Sequence, residues 1–332
     1  MSDFPNSIRL SAPVRITEQV WPEGTVPVVS VFCITYNHVN FIRDAIEGFL
    51  MQETTFPVEI FIHDDASTDG TAEIVKEYAE KYPKLFWTVL QTENQWSKGN
   101  PNTYFFGLMQ KQRGEFIALC EGDDYWISKE KLQKQVEVLE ANPEASLVFH
   151  NAEVKNYREG VVKSYIFHSE NGKPIPCDTV ETKDLLRDWF IPTASIVFRV
   201  YSNFQIPQWF NNCKSGDFPL QLILSTYGKF LYLNKLFSVH RLHSGGVSLI
   251  HQKELIHTTI NRFFMFECFN QYTQKKYEKH MDYLMLDAHL SYIPEYLEMK
   301  KNSQELAFLK KDKKRPKWRR ICSILKEIFI RK

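Results

Sequence analysis

The sequence has almost no excess charge, since its 332 residues carry a formal net charge of +1 at pH 7. A chain with no surplus of either sign does not attract polyanions over its whole surface, which argues against a nucleic-acid partner. No run approaches the roughly 18 apolar residues that a membrane-spanning helix needs. The first ten residues, MSDFPNSIRL, contain no apolar core of signal-peptide length. These absences favour a protein that is neither secreted nor embedded in a bilayer.

Cysteines are few and show no pattern. The six of them form no CxxC pair and no metal-ligand spacing. Several lie inside apolar runs, where a thiol behaves as a small hydrophobe. We therefore expect reduced thiols and a cytoplasmic location.

Apolar runs alternate with helical patterns over the first 150 residues. Strands are predicted at 28–36, 58–63, 85–90 and 115–120, and a helical pattern follows each of them. This alternation indicates βαβ units, and therefore an α/β fold with a mostly parallel sheet flanked by helices. Right-handed crossovers place every strand-to-helix loop at one edge of such a sheet.

The second half of the chain has a weaker pattern. Residues 151–192 show a less regular pattern and are assigned only loosely. A strand over 193–200, a helix over 217–227 and one or two strands over 229–240 are predicted after them. From about residue 250 onward we predict helices in an increasingly basic chain.

Three polar loops, TYNH, DDASTDG and EGDDYW, each follow a predicted strand. In an open α/β sheet the ligand binds outside the carboxyl ends of the strands, which is where these loops meet. The first loop, TYNHVN, contains no glycine, so it is not the GxGxxG turn of dinucleotide-binding oxidoreductases. We therefore disfavour that class.

The EGDD stretch places three carboxylates, Glu121, Asp123 and Asp124, within four positions. Carboxylates this close repel one another unless a cation lies between them. Mn²⁺ or Mg²⁺ suits such a site, because Mg²⁺ is usually held by one or two carboxylates together with substrate phosphates. A solvated turn that caps the next helix is the alternative.

The other two loops offer groups that suit a nucleotide. Asp64 or Asp65 can accept hydrogen bonds from a base or a ribose. The Tyr36 ring can stack on a base, beside the polar groups of Thr35 and Asn37. Structural explanations also exist, because Asp, Ser and Thr are turn and cap residues and a tyrosine can fill a core.

Taken together, the three motifs resemble a known family. A strand followed by TYN, a strand followed by DDASTDGT and a strand followed by EGDDYW, in this order, closely resemble the family 2 glycosyltransferases with the GT-A fold. The resemblance extends over residues 27–245. It implies a Rossmann-like domain in which Asp65 binds the nucleotide. It also implies that the EGDD carboxylates bind the ribose and the metal that bridges the diphosphate, with a glutamate in place of the usual first aspartate.

The same resemblance implies a general base and further contacts to the donor. Family members use a carboxylate ahead of a helix as the base, which matches Asp217 in SGDFPLQLIL. In VHRLHSGGVS, His243 is expected to bind the metal or, with Arg241, to contact the diphosphate. Lys98 and Trp126 are candidates for the donor pocket. A helix N-cap at Asp217, and loop or packing roles for the last two residues, are the alternatives.

The implied function is that of an inverting, metal-dependent glycosyltransferase of bacterial glycan biosynthesis. It would move a hexosyl or N-acetylhexosaminyl group from a nucleotide-diphosphate sugar, with UDP favoured, to a hydroxyl of a glycan or lipid-linked acceptor. A sugar-1-phosphate nucleotidyltransferase is one alternative, although that class normally has a glycine-rich loop after the first strand. A non-catalytic module that binds nucleotide sugars or docks at a membrane is the other.

The predicted organisation is a lead-in segment (1–26), a GT-A-like catalytic domain (27–248, with a nucleotide-binding half at 27–150 and an acceptor half at 151–248) and a helical C-terminal region (249–332). The tail at 310–332 crowds Lys and Arg ahead of apolar residues at helical spacing. Such a basic amphipathic helix can lie on the inner face of the cell membrane. A helix packed on the catalytic domain is the alternative.

Overall fold

The chain is described by a computed structural model over residues 8–98, 101–157, 162–168, 178–187, 189–246 and 255–279. The tail at 310–332, and with it the predicted membrane helix, lies outside the described residues. Within them, no helix is both long enough and apolar enough to cross a bilayer.

The described strands and helices alternate through the first half of the chain, as predicted. The strands are β1 (Val14–Arg15), β2 (Val29–Thr35), β3 (Glu53–Thr54), β4 (Val58–Asp64), β5 (Phe86–Leu90), β6 (Phe116–Leu119), β7 (Tyr125–Trp126), β8 (Ala145–Asn156), β9 (Lys163–Ile166), β10 (Thr179–Val180), β11 (Val197–Arg199) and β12 (Lys229–Leu242). The helices are α1 (Ile42–Leu50), α2 (Thr71–Lys81), α3 (Pro101–Met109), α4 (Lys131–Ala141), α5 (Thr182–Leu185), α6 (Asp217–Leu224) and α7 (Leu255–Tyr272).

A ten-stranded mixed sheet organises the fold. Its strand order is β10-β12-β8-β11-β6-β2-β4-β5, with β7 paired to β12 and β9 paired to β8. The strands β6, β2, β4 and β5 are parallel to one another, and β8 is parallel to β12. Between these two groups, β11 runs antiparallel to both of its neighbours. The prediction of an α/β fold with a sheet flanked by helices is confirmed.

Both faces of the sheet are buried, which explains why its central strands are nearly all apolar. On β2, Val31 and Cys33 pack in one hydrophobic cluster with residues of α1, α2 and α4. Phe32 and Ile34 point to the other face, in a second cluster with residues of α3, α6 and α7. Alternate residues of one strand therefore hold two helical layers on the sheet.

The register of the sheet brings the three polar loops together. Thr35 at the end of β2 pairs with Asp64 at the end of β4. On the other side, Phe32 of β2 pairs with Leu119, the last residue of β6. The loops TYNH, DDASTDG and EGDD therefore leave the sheet at the same edge, as the sequence predicts.

The sequence-based prediction is wrong in the second half of the sheet. Residues 151–192, for which only a less regular pattern is predicted, contain the second half of β8, and this strand continues across residue 150. Its apolar run is interrupted by His150 and Asn151, which are polar but buried. The strand predicted over 193–200 begins as a 3₁₀ turn, and only its end forms β11.

Candidate active site

The TYNH loop folds back onto the DDASTDG loop. Asn37 has a left-handed backbone conformation, with φ of 55°. The backbone amide of Asn37 donates a hydrogen bond to Ser67 Oγ at 2.8 Å. Its side-chain Oδ1 accepts one from the backbone amide of Thr68 at 2.8 Å. Thr35, just before it, is buried, whereas the ring of Tyr36 is 45% exposed. Tyr36 is thus not core filler, and its ring is accessible at the carboxyl edge of the sheet.

The two aspartates that follow β4 have different partners. Asp64 accepts a hydrogen bond from the Ser67 amide at 2.9 Å. Asp65 accepts one from the Gln95 amide at 2.7 Å and one from the Trp96 amide at 3.0 Å. Asp65 therefore connects the loop after β4 to the 3₁₀ turn after β5, where the Trp96 ring is exposed.

The EGDD loop brings Asp123 close to two histidines. Asp123 Oδ2 lies 3.0 Å from His243 Nε2 and 3.8 Å from His38 Nε2. Burial opposes ionisation of Asp123, but the hydrogen bond from His243 and the nearby histidine charges lower its pKa to about 2. Burial lowers the pKa of His38, although the charge of Asp123 partly counters this. The group thus contains an ionised carboxylate and an imidazole that favours the neutral form.

Asp124 has a different environment from Asp123, because both of its oxygens are occupied. Oδ1 accepts a hydrogen bond from the Arg241 amide at 2.7 Å, and Oδ2 lies 2.9 Å from His240 Nδ1. Burial opposes protonation of His240, but the charge of Asp124 and this hydrogen bond raise its pKa to about 9. The pair Asp124–His240 therefore anchors the end of β12 beneath the EGDD loop.

Glu121 is surrounded mainly by negatively charged groups. Its pKa is raised well above the usual range, first by burial and then by the charges of Asp124, Asp123 and Asp217. Only His240 acts in the opposite direction among the main contributors. A divalent cation among these carboxylates would remove the repulsion, which is the first sign that the site suits a metal.

Gly122 allows the EGDD loop to lie against the TYNH loop. A Cβ atom at this position would be 2.5 Å from Thr35 Oγ1 and 3.1 Å from His38 Nδ1. Its amide also donates a hydrogen bond to the carbonyl of Ile34 at 2.9 Å. Any larger residue would push the two loops apart.

Asp217, the predicted general base, begins α6. Its Oδ2 accepts a hydrogen bond from Trp189 Nε1 at 2.9 Å. Its charge contributes to the raised pKa of Glu121, so this carboxylate lies within electrostatic reach of the EGDD loop. The fold thus brings Asp217 to the same edge of the sheet from a position almost a hundred residues further along the chain.

Arg241 is buried between the EGDD loop and α1. Its guanidinium donates to the Asp123 carbonyl at 2.9 Å, pairs with Asp44 of α1 and lies 4.1 Å from the Tyr125 ring centre. In this structure its contacts brace the EGDD loop against α1.

Trp126 and Lys98, both predicted to line the donor pocket, lie in different environments. Trp126 is buried in the core, where its ring packs on Phe49 and its Nε1 donates to the Ala194 carbonyl at 3.0 Å. Lys98 lies on the exposed 3₁₀ turn and pairs with Glu93. The position of Trp126 therefore agrees with a role in core packing.

Sequence reasoning missed two histidines of the site, His38 and His240. His38 directly follows TYN, so its proximity to a motif was a usable signal. His240 precedes Arg241 on β12, and nothing in the sequence links it to Asp124, which lies 116 positions earlier.

The donor set at this edge fits a divalent cation. In the described residues, the ligand atoms of His38, Asp123 and His243 all lie within 4.8 Å of one another. Two imidazole nitrogens and a carboxylate oxygen are common ligands of first-row transition metals.

The mixed sheet, the polar loops at its carboxyl edge and this carboxylate–histidine group define a GT-A-type glycosyltransferase fold. Residues 30–199 match the family model described as Glycosyl transferase family 2. The chain therefore belongs to glycosyltransferase family 2.

Individual proteins resemble the chain in sequence or in fold. An uncharacterized protein of Mycobacterium tuberculosis is 36% identical over 220 residues, which cover 66% of this chain but only 60% of that protein. The mannosyltransferase PcManGT of Pyrobaculum calidifontis, solved with GDP-Man and Mn²⁺, has a TM-score of 0.52 at 17% identity, over 95% of this chain and 90% of that one. S. aureus TarS has a TM-score of 0.51 at 18% identity, over 86% of this chain and 46% of that one.

Proposed function

We propose that the chain transfers a sugar, with inversion, from a nucleotide-diphosphate sugar to a hydroxyl group, using a divalent cation. The observation that carries this proposal is the convergence of Asp123, His243 and Asp217 on the carboxyl edge of the sheet. Asp123 and His243 are in direct contact, and Asp217 acts electrostatically on the same loop.

The nucleotide binds at the TYNH and DDASTDG loops in this proposal. The exposed Tyr36 ring stacks on the base, and Thr35 and Asn37 shape the loop beneath it. Asp65 accepts hydrogen bonds from the nucleotide or holds the neighbouring Gln95–Trp96 amides in place. Either role makes the affinity for a nucleoside diphosphate depend on this carboxylate.

The diphosphate and the cation lie at the EGDD loop. Asp123 and His243 are the residues that would hold Mn²⁺ or Mg²⁺, with Glu121 and Asp124 completing the negative charge around it. When bound, the cation neutralises charge on the departing diphosphate. Arg241 keeps the loop in place through the Asp123 carbonyl. PcManGT, which was solved with GDP-Man and Mn²⁺, supports this class of donor and ion.

Asp217 accepts the proton of the acceptor hydroxyl. As the hydroxyl oxygen forms its bond to the anomeric carbon, the bond between that carbon and the diphosphate oxygen breaks, and the nucleoside diphosphate leaves. A single displacement of this kind inverts the anomeric configuration. The hydrogen bond from Trp189 Nε1 fixes one carboxylate oxygen of Asp217, and the other oxygen is the proposed proton acceptor.

The finer assignment follows the family. We propose a UDP-sugar as the donor, a hexosyl or N-acetylhexosaminyl group as the transferred sugar, and a glycan or lipid-linked acceptor of polysaccharide biosynthesis. We also propose a cytoplasmic protein that contacts the membrane peripherally through its basic tail.

The test is a panel of nucleotide sugars incubated with the full chain and Mn²⁺, with and without glycan acceptors. We expect nucleoside diphosphate release that increases when the right acceptor is present. Asp217→Asn is the matched variant, because it preserves shape but lacks basicity. No donor turned over by the wild type, or equal rates for both proteins, would contradict the proposal.

A further inference from the structure

The TYNH loop adds a second histidine to the carboxylate site. We propose that His38 is a third protein ligand of the divalent cation, beside Asp123 and His243. The resulting site has two imidazoles and one carboxylate, and its imidazoles favour a later transition-metal ion such as Co²⁺ over Mg²⁺. This inference rests on the proposed function and specifies its ion.

The three side chains converge on one carboxylate oxygen. Asp123 Oδ2 lies 3.0 Å from His243 Nε2 and 3.8 Å from His38 Nε2. Metal bonds of about 2.0–2.2 Å place neighbouring ligand atoms roughly 3–3.5 Å apart. A small rotation of the His38 ring is therefore enough to bring all three atoms to bonding distance of one ion.

His38 is held in an orientation that suits a ligand. Its Nδ1 lies 3.2 Å from Thr35 Oγ1, and its backbone amide donates to Thr71 Oγ1 at 2.9 Å. When the Nδ1 proton is directed at the threonine oxygen, the lone pair of Nε2 faces Asp123. Metal-binding histidines commonly use their other ring nitrogen in this way.

The second imidazole is also fixed by packing. The His243 ring lies 4.6 Å from the ring of Phe41 and is nearly perpendicular to the His38 ring, with centroids 6.1 Å apart and an interplanar angle of 85°. The two rings therefore approach Asp123 from different directions. This geometry leaves the remaining coordination positions to oxygen atoms of the donor.

Among the described carboxylates of the EGDD loop, Asp124 is already engaged in hydrogen bonds, so Asp123 and Glu121 are the ones that can offer oxygen to an ion. Both oxygens of Asp124 are committed, one to the Arg241 amide and one to His240. A bond from Asp124 to an ion would therefore compete with these two hydrogen bonds in a buried position. Mg²⁺ prefers six oxygen ligands in near-octahedral geometry, whereas imidazole suits the later divalent ions.

A purely structural role is the competing explanation, since His38 also packs against Gly122 and Thr35. The experiment is titration of Mn²⁺, Co²⁺ and Mg²⁺ into the full chain without nucleotide. Free Mn²⁺ is read by electron paramagnetic resonance and bound Co²⁺ by its ligand-field absorption. His38→Gln removes the nitrogen ligand, His38→Glu replaces it with oxygen, and Val39→Ala perturbs the same loop without touching a ligand.

We expect the wild type and Val39→Ala to bind Co²⁺ at least about tenfold more tightly than Mg²⁺, because imidazole suits the later first-row ions. His38→Gln should weaken Mn²⁺ binding by about tenfold or more and change the Co²⁺ absorption. His38→Glu should shift the preference toward Mg²⁺.

A wild type that prefers Mg²⁺ or binds no metal, or a His38→Gln variant with unchanged Mn²⁺ affinity, overturns the inference. If His38→Gln also lowers the unfolding temperature, His38→Glu decides: Mg²⁺ binding supports the ligand role, and no binding refutes it. Because no donor or acceptor is present, failure here is separate from failure of sugar transfer.

Discussion

The nucleotide loops (residues 35–38 and 64–70) and the carboxylate loop (residues 121–124) meet at one edge of the sheet but are stabilised differently. In the nucleotide loops the aspartates are satisfied by backbone amides and hydroxyls close in sequence or on the adjoining loop. Asp65 is an example, with two amide donors. In the carboxylate loop Asp123 and Asp124 depend on histidines of β12 and of the segment after it, while Glu121 is repelled by three carboxylates.

This difference separates two tasks. Neutral donors that are part of the local backbone give the nucleotide loops a defined shape at any ionic composition. The carboxylate loop crowds carboxylates around Glu121, so its shape and its chemistry depend on positive partners. We therefore expect substitutions in the two regions to differ in their response to cations.

The largest effect concerns Asp217. This carboxylate lies at the start of α6, and its charge acts on Glu121 of the carboxylate loop. Asp217→Asn should lower kcat by ~10²–10⁴-fold, because a general base contributes this much. Donor affinity, measured by calorimetry, should stay unchanged. If kcat decreases by less than about tenfold, Asp217 is not the general base and has only a structural role at the N-terminus of α6.

The second effect separates the two neighbouring aspartates of the carboxylate loop. Asp124→Ala leaves His240 buried without its partner and should lower the free energy of unfolding by about 3–5 kcal/mol. Asp123→Ala also removes a hydrogen bond, the one to His243, but at the same time removes one of the charges acting on Glu121, so it should cost less stability than Asp124→Ala. Urea unfolding of both variants tests this, and equal losses would contradict the assigned difference.

The third effect concerns Lys131, a buried cation behind the carboxylate loop. Its Nζ lies 4.1 Å from the centre of the Trp126 ring, and burial lowers its pKa to about 7. The unfolded chain then binds more protons than the folded one between pH 7 and the ordinary lysine value of 10.5. Stability should therefore rise with pH across that window.

Lys131→Met should remove this rise and stabilise the protein below pH 7 by about 1–4 kcal/mol. The free energy of unfolding of wild type and variant is measured at pH 6, 8 and 10. Lys134→Met is the control, because Lys134 is exposed on the same helix and should leave the pH dependence unchanged. If Lys131→Met is less stable than wild type at pH 6, other interactions in the folded protein stabilise the Lys131 charge, and the prediction is wrong.

The smallest effect lies in the nucleotide loops. Asp65→Asn weakens two charge-assisted hydrogen bonds to the Gln95 and Trp96 amides, at about 1–2 kcal/mol in total. UDP affinity should decrease by roughly tenfold, and by the same factor with and without Mn²⁺. A loss of UDP affinity that occurs only with Mn²⁺ would contradict the claim that the nucleotide loops act independently of the cation.

The parts of this molecule that follow local rules could be predicted from the sequence. β2, β4 and β6 are short apolar runs, each ending in a polar loop, and the parallel arrangement places those loops at one edge. The approach of Asp217 to the same edge could be inferred only through the family resemblance, since no local pattern connects α6 with the EGDD loop.

The parts that depend on tertiary context could not be predicted. β8 contains buried polar residues that hide its strand pattern, and β11 has only three residues. The burial of Asp124 depends on pairing with a histidine 116 positions away. The contact of His38 with Asp123 requires the left-handed turn at Asn37 and the missing side chain at Gly122.

The central claim is that sugar transfer depends on a cation held at Asp123. The most direct measurement is the rate of nucleoside diphosphate release, with donor and acceptor present, for the wild type and Asp123→Asn. Both proteins are treated with a chelator and then supplied with Mn²⁺. The wild-type rate should fall with the chelator and recover with Mn²⁺, while the variant stays inactive in both states. A chelator-resistant wild type, or a variant that recovers with Mn²⁺ to the wild-type rate, would contradict the claim.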